Sequence, residues 1–168
     1  MAYSLATRNA TRDFLKEYGA GIAKAVTNTN LFFPAIVAQK ALESGWGRSG
    51  LAKEANNFGG IKYAPNLSGV VGFVTKDTTE YVRGKKVKVQ AKFSKFKDVE
   101  SGIRATIQVL MGSRYKDARE KAKTPQEQIL MIARAGYTTT PPQKYLDSLN
   151  GIIEATQDAT GLGRIVSK

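Results

Sequence analysis

The chain has 168 residues, no cysteine and no histidine, and its lysines and arginines outnumber its aspartates and glutamates by 26 to 14, for a formal charge of +12. The missing cysteines exclude a disulfide framework, a thiolate zinc site and a cysteine nucleophile. The missing histidines exclude Ser-His-Asp and Cys-His catalysis and the commonest transition-metal ligand. Acid–base chemistry then falls to Asp, Glu, Tyr, Lys or bound water.

The length suits one domain over residues 1–168, large enough to bury a core without staples. The positive charge favours anionic partners. Nucleic acid, an anionic membrane surface and a carboxylate- or phosphate-bearing cell wall all fit, and so does a solvated basic surface without a specific role. The densest patch is Lys85, Lys86, Lys88, Lys92, Lys95 and Lys97. The first residues, Met1 to Arg8, lack the apolar core of a signal peptide. The longest apolar stretch, Leu31 to Ala38, is too short to span a bilayer and contains Pro34, so no integral membrane segment is expected. A soluble chain is expected, one that works inside a cell, is exported by a route without a cleaved leader, or is already freed of one.

Helical spacing of Phe14, Leu15, Tyr18, Ile22 and Val26 predicts a helix over Ala10–Val26, broken by Asn28-Thr29-Asn30. A second helix starts near Pro34, carries Ala35, Ile36, Ala38, Ala41 and Leu42 inward, and stops at Gly45. A short helix follows from Ser49 to Glu54, then a loop through Asn56-Asn57 and Gly59-Gly60. Val70–Val74 and Thr78–Arg83 read as strands, with a turn at Gly84-Lys85. From Val87 to Phe93 apolar and basic residues alternate, which predicts a half-buried antiparallel hairpin with a lysine-rich outer face. Helical spacing returns near Val99 with Ile103, Ile107, Leu110 and Met111. Helices are expected over Ser113–Lys121, Pro125–Ala135 and Gln143–Thr156, with a loop from Gly136 to Pro142 and a loose tail after Asp158. Helices, a small sheet, then helices make an α+β fold of two lobes with a cleft between them.

The chemistry-bearing segment is Ala38-Gln39-Lys40-Ala41-Leu42-Glu43-Ser44-Gly45-Trp46-Gly47-Arg48-Ser49. Glu43 ends a small, apolar helix beside the only tryptophan. The negative helix end and burial against Trp46 would both favour its protonated form, as a general acid requires. A solvent-facing glutamate on a last helical turn is the alternative.

The run Glu43-Ser44-Gly45-Trp46-Gly47-Arg48-Ser49, with Leu51-Ala52 and Ala55-Asn56-Asn57-Phe58-Gly59-Gly60-Ile61-Lys62, resembles the signature of the bacterial glucosaminidases of glycoside hydrolase family 73. That group includes flagellar muramidase-like domains and autolysins. The resemblance continues through Thr79-Glu80-Tyr81, Ala91 to Phe96, Glu100-Ser101 and Gly136 to Pro141, and spans roughly Phe33 to Ile153. Two departures stand out: Phe58-Gly59-Gly60-Ile61 varies the family's loop, and Thr138-Thr139-Thr140-Pro141 lacks an aspartate that members often carry.

The resemblance implies a lysozyme-like fold: a mainly helical lobe and a small antiparallel β-hairpin lobe flanking a substrate cleft. It implies Glu43 as proton donor in an endo-β-N-acetylglucosaminidase cutting peptidoglycan glycan strands after N-acetylglucosamine. Neither metal nor organic cofactor is needed. Glu80 is the candidate second carboxylate, or else a surface charge paired with nearby lysines. Tyr137 is a candidate substrate contact or positioner of water, or else core. Trp46 either stacks on sugar or packs against the catalytic helix. Asn57 either ties its loop or touches substrate; Phe58 and Tyr145 complete the candidate contacts. A monomer acting on the bacterial wall is expected, with no nucleic-acid partner. A lytic transglycosylase, a muramidase cutting after N-acetylmuramic acid, or a wall-glycan binder without catalysis are the alternative activities.

Overall fold

The computed structural model describes residues 2–168. Helix α1 (Leu5–Phe14) is capped by Ser4, whose side chain accepts from Thr7 N–H, and runs through one wide π turn (Leu15–Gly19) into α2 (Ala20–Val26). The helix thus begins five residues earlier than the apolar spacing indicated, because a serine cap rather than core contact sets its start. Asn28 and Asn30, both at positive φ, end the run.

Helix α3 (Phe33–Glu43) opens on a proline in its first turn and packs against α2, α7 and α8. Every residue from Phe33 to Ala41 is buried. Its alanines let neighbouring helices approach on all sides, which makes it the axis of the helical lobe. One expected core residue is outside: Leu42 is 44% exposed, whereas Lys40 is fully buried. The inward face of the last turn therefore becomes polar where it meets the cleft.

After α4 (Gly50–Ala55), strands β1 (Val70–Val82) and β2 (Lys85–Phe96) pair antiparallel. Two expected strands are one: Lys76↔Ala91 and Asp77↔Gln90 carry the ladder through the polar middle of β1. The turn is Arg83-Gly84, one residue earlier than expected. Both residues have positive φ, as a two-residue hairpin turn whose twist matches its strands requires. Phe93 and Phe96 are buried at the base of β2, but Tyr81, Val82 and Val87 near the tip are exposed. The hairpin is half-buried only where it joins the body, since among the described residues no third strand covers its outer half.

Helix α5 (Val99–Leu110) is capped by Asp98 and turns Ile103, Ile107 and Leu110 inward. A 3-10 turn (Ser113–Tyr115), α6 (Lys116–Lys121), α7 (Pro125–Ile132), a second π turn (Ala133–Tyr137) and α8 (Pro142–Thr160) follow. The tail expected to be loose is held in place. Arg164 donates to the carbonyls of Asn30 (2.9 Å), Arg119 (2.8 Å) and Ala122 (2.7 Å), and lies 4.4 Å over the Phe32 ring. Main-chain bonds from Phe33 to Gly163 and from Asn28 to Ile165 add to it. Sequence spacing missed this because polar contacts to backbone leave no apolar period.

Candidate active site

Glu43 stands at the C-terminal end of α3, where the chain turns sharply. Ser44 Oγ donates to the Lys40 carbonyl and accepts from Gly47 N–H at 2.8 Å, tying the turn to the helix it ends. The carboxyl is gripped on both oxygens. Oε1 accepts from the Tyr137 hydroxyl at 2.6 Å, with the Tyr145 hydroxyl at 3.4 Å; Oε2 accepts from Lys40 Nζ at 3.2 Å. The Lys40 side chain is 0% exposed and that of Glu43 21%, so the pair leads from the core to the cleft wall.

Each partner reaches Glu43 for a local reason. Lys40 lies one helical turn before it on α3, where residues three apart share a face. Tyr137 ends the wide turn after α7, where Gly136 at φ 93° breaks the helix and swings the ring inward. Tyr145 points in from the first turns of α8, and its hydroxyl also accepts from Gln39 Nε2 at 3.2 Å. Both phenols titrate above the ordinary tyrosine value, through burial first and the charge of Glu43 second. Both therefore remain neutral hydrogen-bond donors at neutral pH.

Two recesses meet at Glu43. One, of about 350 Å³, is lined by Gly59, Ile61, Thr106, Tyr137 and Tyr145. The other, of about 400 Å³, opens toward the hairpin and is lined by Asn57, Gly60, Lys76, Thr78 and Phe93. Gly59 allows the loop to pass this close: a Cβ there would meet Thr106 Cγ2 at 2.7 Å. Lys76 Nζ, 2.7 Å from Glu54, joins β1 to α4 across the second recess.

The structure brings Glu43, Tyr137 and Tyr145 together, puts Asn57 on the wall of the second recess, and places Glu80, Trp46 and Phe58 elsewhere. Glu80 lies on the same face of β1 as Lys76 and Thr78, but farther out. Its side chain is 52% exposed, 3.9 Å from Lys62 Nζ, and lines neither recess. Trp46 turns away from the cleft and packs edge-on to Phe14, with centroids 6.1 Å apart. The indole expected beside Glu43 is replaced there by Lys40 and two phenols. Phe58 is 1% exposed and packs against Tyr18, so it supports the loop from beneath. Asn57 borders the second recess, yet its amide donates to the carbonyls of Ile61 and Ser94, both at 2.9 Å, and accepts from Ile61 N–H. Its hydrogen-bonding capacity is spent on holding the loop to β2.

Lys40 and Thr106 were not singled out in the sequence. Lys40 had a signal, a lone charge inside an apolar helix one turn before the key carboxyl. Thr106 had none, since a threonine on an amphipathic helix gives no hint of the loop it will meet.

The family model described as mannosyl-glycoprotein endo-beta-N-acetylglucosaminidase matches residues 20–158. The chain belongs to the glucosaminidase family. Among its relatives, the peptidoglycan hydrolase FlgJ of Pseudomonas aeruginosa is 35% identical over 111 residues, covering 63% of this chain and 27% of that protein. The exo-glucosaminidase LytG of Bacillus subtilis is 33% identical over 124 residues, covering 70% of this chain and 42% of that protein. The chain thus spans between about a quarter and somewhat under half of these relatives. The catalytic domain of the autolysin Auto from Listeria monocytogenes superposes with a TM-score of 0.74 at 28% identity, covering 87% of this chain and 84% of that one. The mainly helical body, the two-stranded antiparallel lobe and the intervening cleft are those of the lysozyme-like glycoside hydrolases.

Proposed function

We propose that this glucosaminidase hydrolyses the glycan strands of peptidoglycan, cutting after N-acetylglucosamine with Glu43 as general acid. The observation that carries the reading is the placement of Glu43. It is a partly exposed carboxyl at the junction of two recesses, oriented through both oxygens, in a chain of the glucosaminidase family. A recess on each side of the acid leaves room for sugar on both sides of the bond, which favours cutting within a strand.

In this mechanism the glycosidic oxygen takes the proton of Glu43 as the bond to the sugar breaks and positive charge develops at the anomeric carbon. Tyr137 and Tyr145 hold the carboxyl in line and remain neutral while Glu43 cycles between acid and carboxylate. Lys40 stabilises the carboxylate left after proton transfer. Glu80 is the proposed second carboxylate, acting on water or on the substrate's N-acetyl group. It lies two residues beyond Thr78, about 7 Å along the strand. Its engagement requires the hairpin to close on substrate. The wall would be the site of action, and the basic hairpin suits the carboxylates and phosphates found there.

Digestion of purified peptidoglycan with mass analysis of the products tests the reading. The expected products end in reducing N-acetylglucosamine. An anhydro sugar end would make the enzyme a transglycosylase, a reducing N-acetylmuramic end a muramidase, and intact strands with bound protein a binding domain.

A further inference from the structure

A second groove, of about 690 Å³, shares no lining residue with the two recesses at Glu43. Its floor is aromatic: Phe14 and Tyr18 lie 4.9 Å apart by ring centroids, and Trp46 meets Phe14 edge-on. Its walls carry opposite charges. Asp13 and Glu17, one helical turn apart, line one side; Arg48 and Lys53 line the other. All four are exposed, and among the described residues none forms an ion pair.

The local backbone is shaped around this groove. Trp46 sits at φ 60°, between Gly45 at 55° and Gly47 at 78°, a left-handed stretch that turns the indole out of the cleft and into the groove. A tryptophan rarely adopts that conformation, and such outliers concentrate at ligand sites. A Cβ on Gly47 would meet the Tyr18 hydroxyl at 2.6 Å, so the glycine is what lets the two walls close on the aromatic floor. On the opposite wall the π turn Leu15–Gly19 carries Glu17 and Tyr18; π turns within α-helices also favour functional sites.

We infer that this groove binds a short zwitterionic peptide, one bearing both a free amine and carboxylates, of the kind that hangs from the glycan strand. The inference rests on peptidoglycan being the substrate. The chemistry of the groove favours peptide over sugar. Unpaired groups of both signs face each other across it, where a sugar-binding rim would present neutral hydroxyl partners. An ammonium is attracted both to Asp13 and Glu17 and to the face of an indole, while a carboxylate meets Arg48 in a paired, planar geometry. The segment from Glu43 to Arg48 is a wall common to groove and cleft, so a peptide held here would anchor its strand beside the acid.

Trp46 is the only tryptophan, so intrinsic fluorescence reports occupancy directly. The probe is a wall tetrapeptide with a free side-chain amine, titrated to about 10 mM, a range that detects affinities near 1 mM. The expected result is a saturable change in emission. Acetylating the amine, or the D13N/E17Q variant, should weaken binding roughly threefold to thirtyfold. The R48M/K53M variant should do the same for the carboxylate side. All variants should still cleave sugar chains that lack peptide. No saturable change with the free peptide, or equal binding of its acetylated form, overturns the inference. A response to peptide-free sugar oligomers alone overturns it as well. The readout needs no catalysis. Absent peptide binding with intact strand cleavage rejects the groove and leaves the proposed function, and the reverse pattern rejects the function and leaves the groove.

Discussion

At the scale of residues, the pair Lys40–Glu43 ties the proposed catalysis to stability. A fully buried ammonium is costly unless paired, and breaking a buried pair from one side leaves the other charge uncompensated. Glu43→Gln is therefore expected to lose about 10²–10⁴-fold in turnover and also to melt below the wild type. Adding Lys40→Met to it should recover the melting temperature and none of the activity. Calorimetry on the two variants checks this; an E43Q protein as stable as the wild type would mean that Lys40 does not depend on Glu43. Tyr137→Phe removes the 2.6 Å donor from Oε1. A hydrogen bond to a charged group contributes about 1.5–3 kcal/mol, so kcat should fall roughly tenfold to a hundredfold with KM little changed.

The two phenols also make a pH prediction whose sign follows from their environment. Tyr137 and Tyr145 titrate above the ordinary value of 10.0 when folded. Their contribution is complete below that value. It is lost as pH rises beyond it, because the unfolded chain then releases protons that the folded one keeps. Urea unfolding at pH 8 and pH 11 should show a drop in stability that is smaller in a Y137F/Y145F variant. An identical drop in both proteins would assign the alkaline loss to the lysines instead.

At the scale of elements, apolar period identified the helices well where one face is buried, as in α5 and α8. It failed where polar contacts decide. Ser4 starts α1 ahead of its first core residue, backbone pairing carries β1 through Thr75, Lys76 and Asp77, and Arg164 fastens a tail with no apolar stripe. The candidate acid was legible as a candidate, because Glu43 sits in a specific run of small residues and glycines. Its surroundings were less so: Tyr137 and Tyr145 come from segments about a hundred residues away, and their convergence depends on how α7 and α8 pack on α3. Trp46 faces the neighbouring groove rather than the recesses at Glu43 because three successive left-handed residues reverse the chain just after Glu43, a turn that apolar spacing does not reveal. The tail makes its own prediction. Arg164→Ala removes three hydrogen bonds to carbonyls and the contact over Phe32. A loss on the order of 1–3 kcal/mol is expected, or roughly 3–10 °C in Tm for a chain of this size. An unchanged Tm would show the tail to be held by its main-chain bonds alone.

At the scale of the molecule, the charge of +12 is concentrated by the fold. Arg83, Lys85, Lys86 and Lys88 all lie in the outer hairpin, and all are exposed. That arm borders the cleft at its base through Lys76, Thr78 and Phe93, so its field extends over the mouth of the cleft. Exposed charges act over about 8 Å at physiological salt and over roughly 4 Å at about 0.5 M. Binding to an anionic wall should therefore weaken steadily across that range. Neutralising Lys85, Lys86 and Lys88 with glutamine should weaken binding at low salt and flatten its dependence on salt, because fewer counterions are then released. None of the three lysines pairs with Glu80, whose partner across the strands is Val87, so hydrolysis of short, uncharged sugar oligomers should be little affected. Co-sedimentation with purified walls across the salt series, beside an oligomer assay, measures both effects. If the triple variant shows the wild-type salt dependence, attraction to the wall resides elsewhere on the basic surface and the hairpin acts only in closing the cleft.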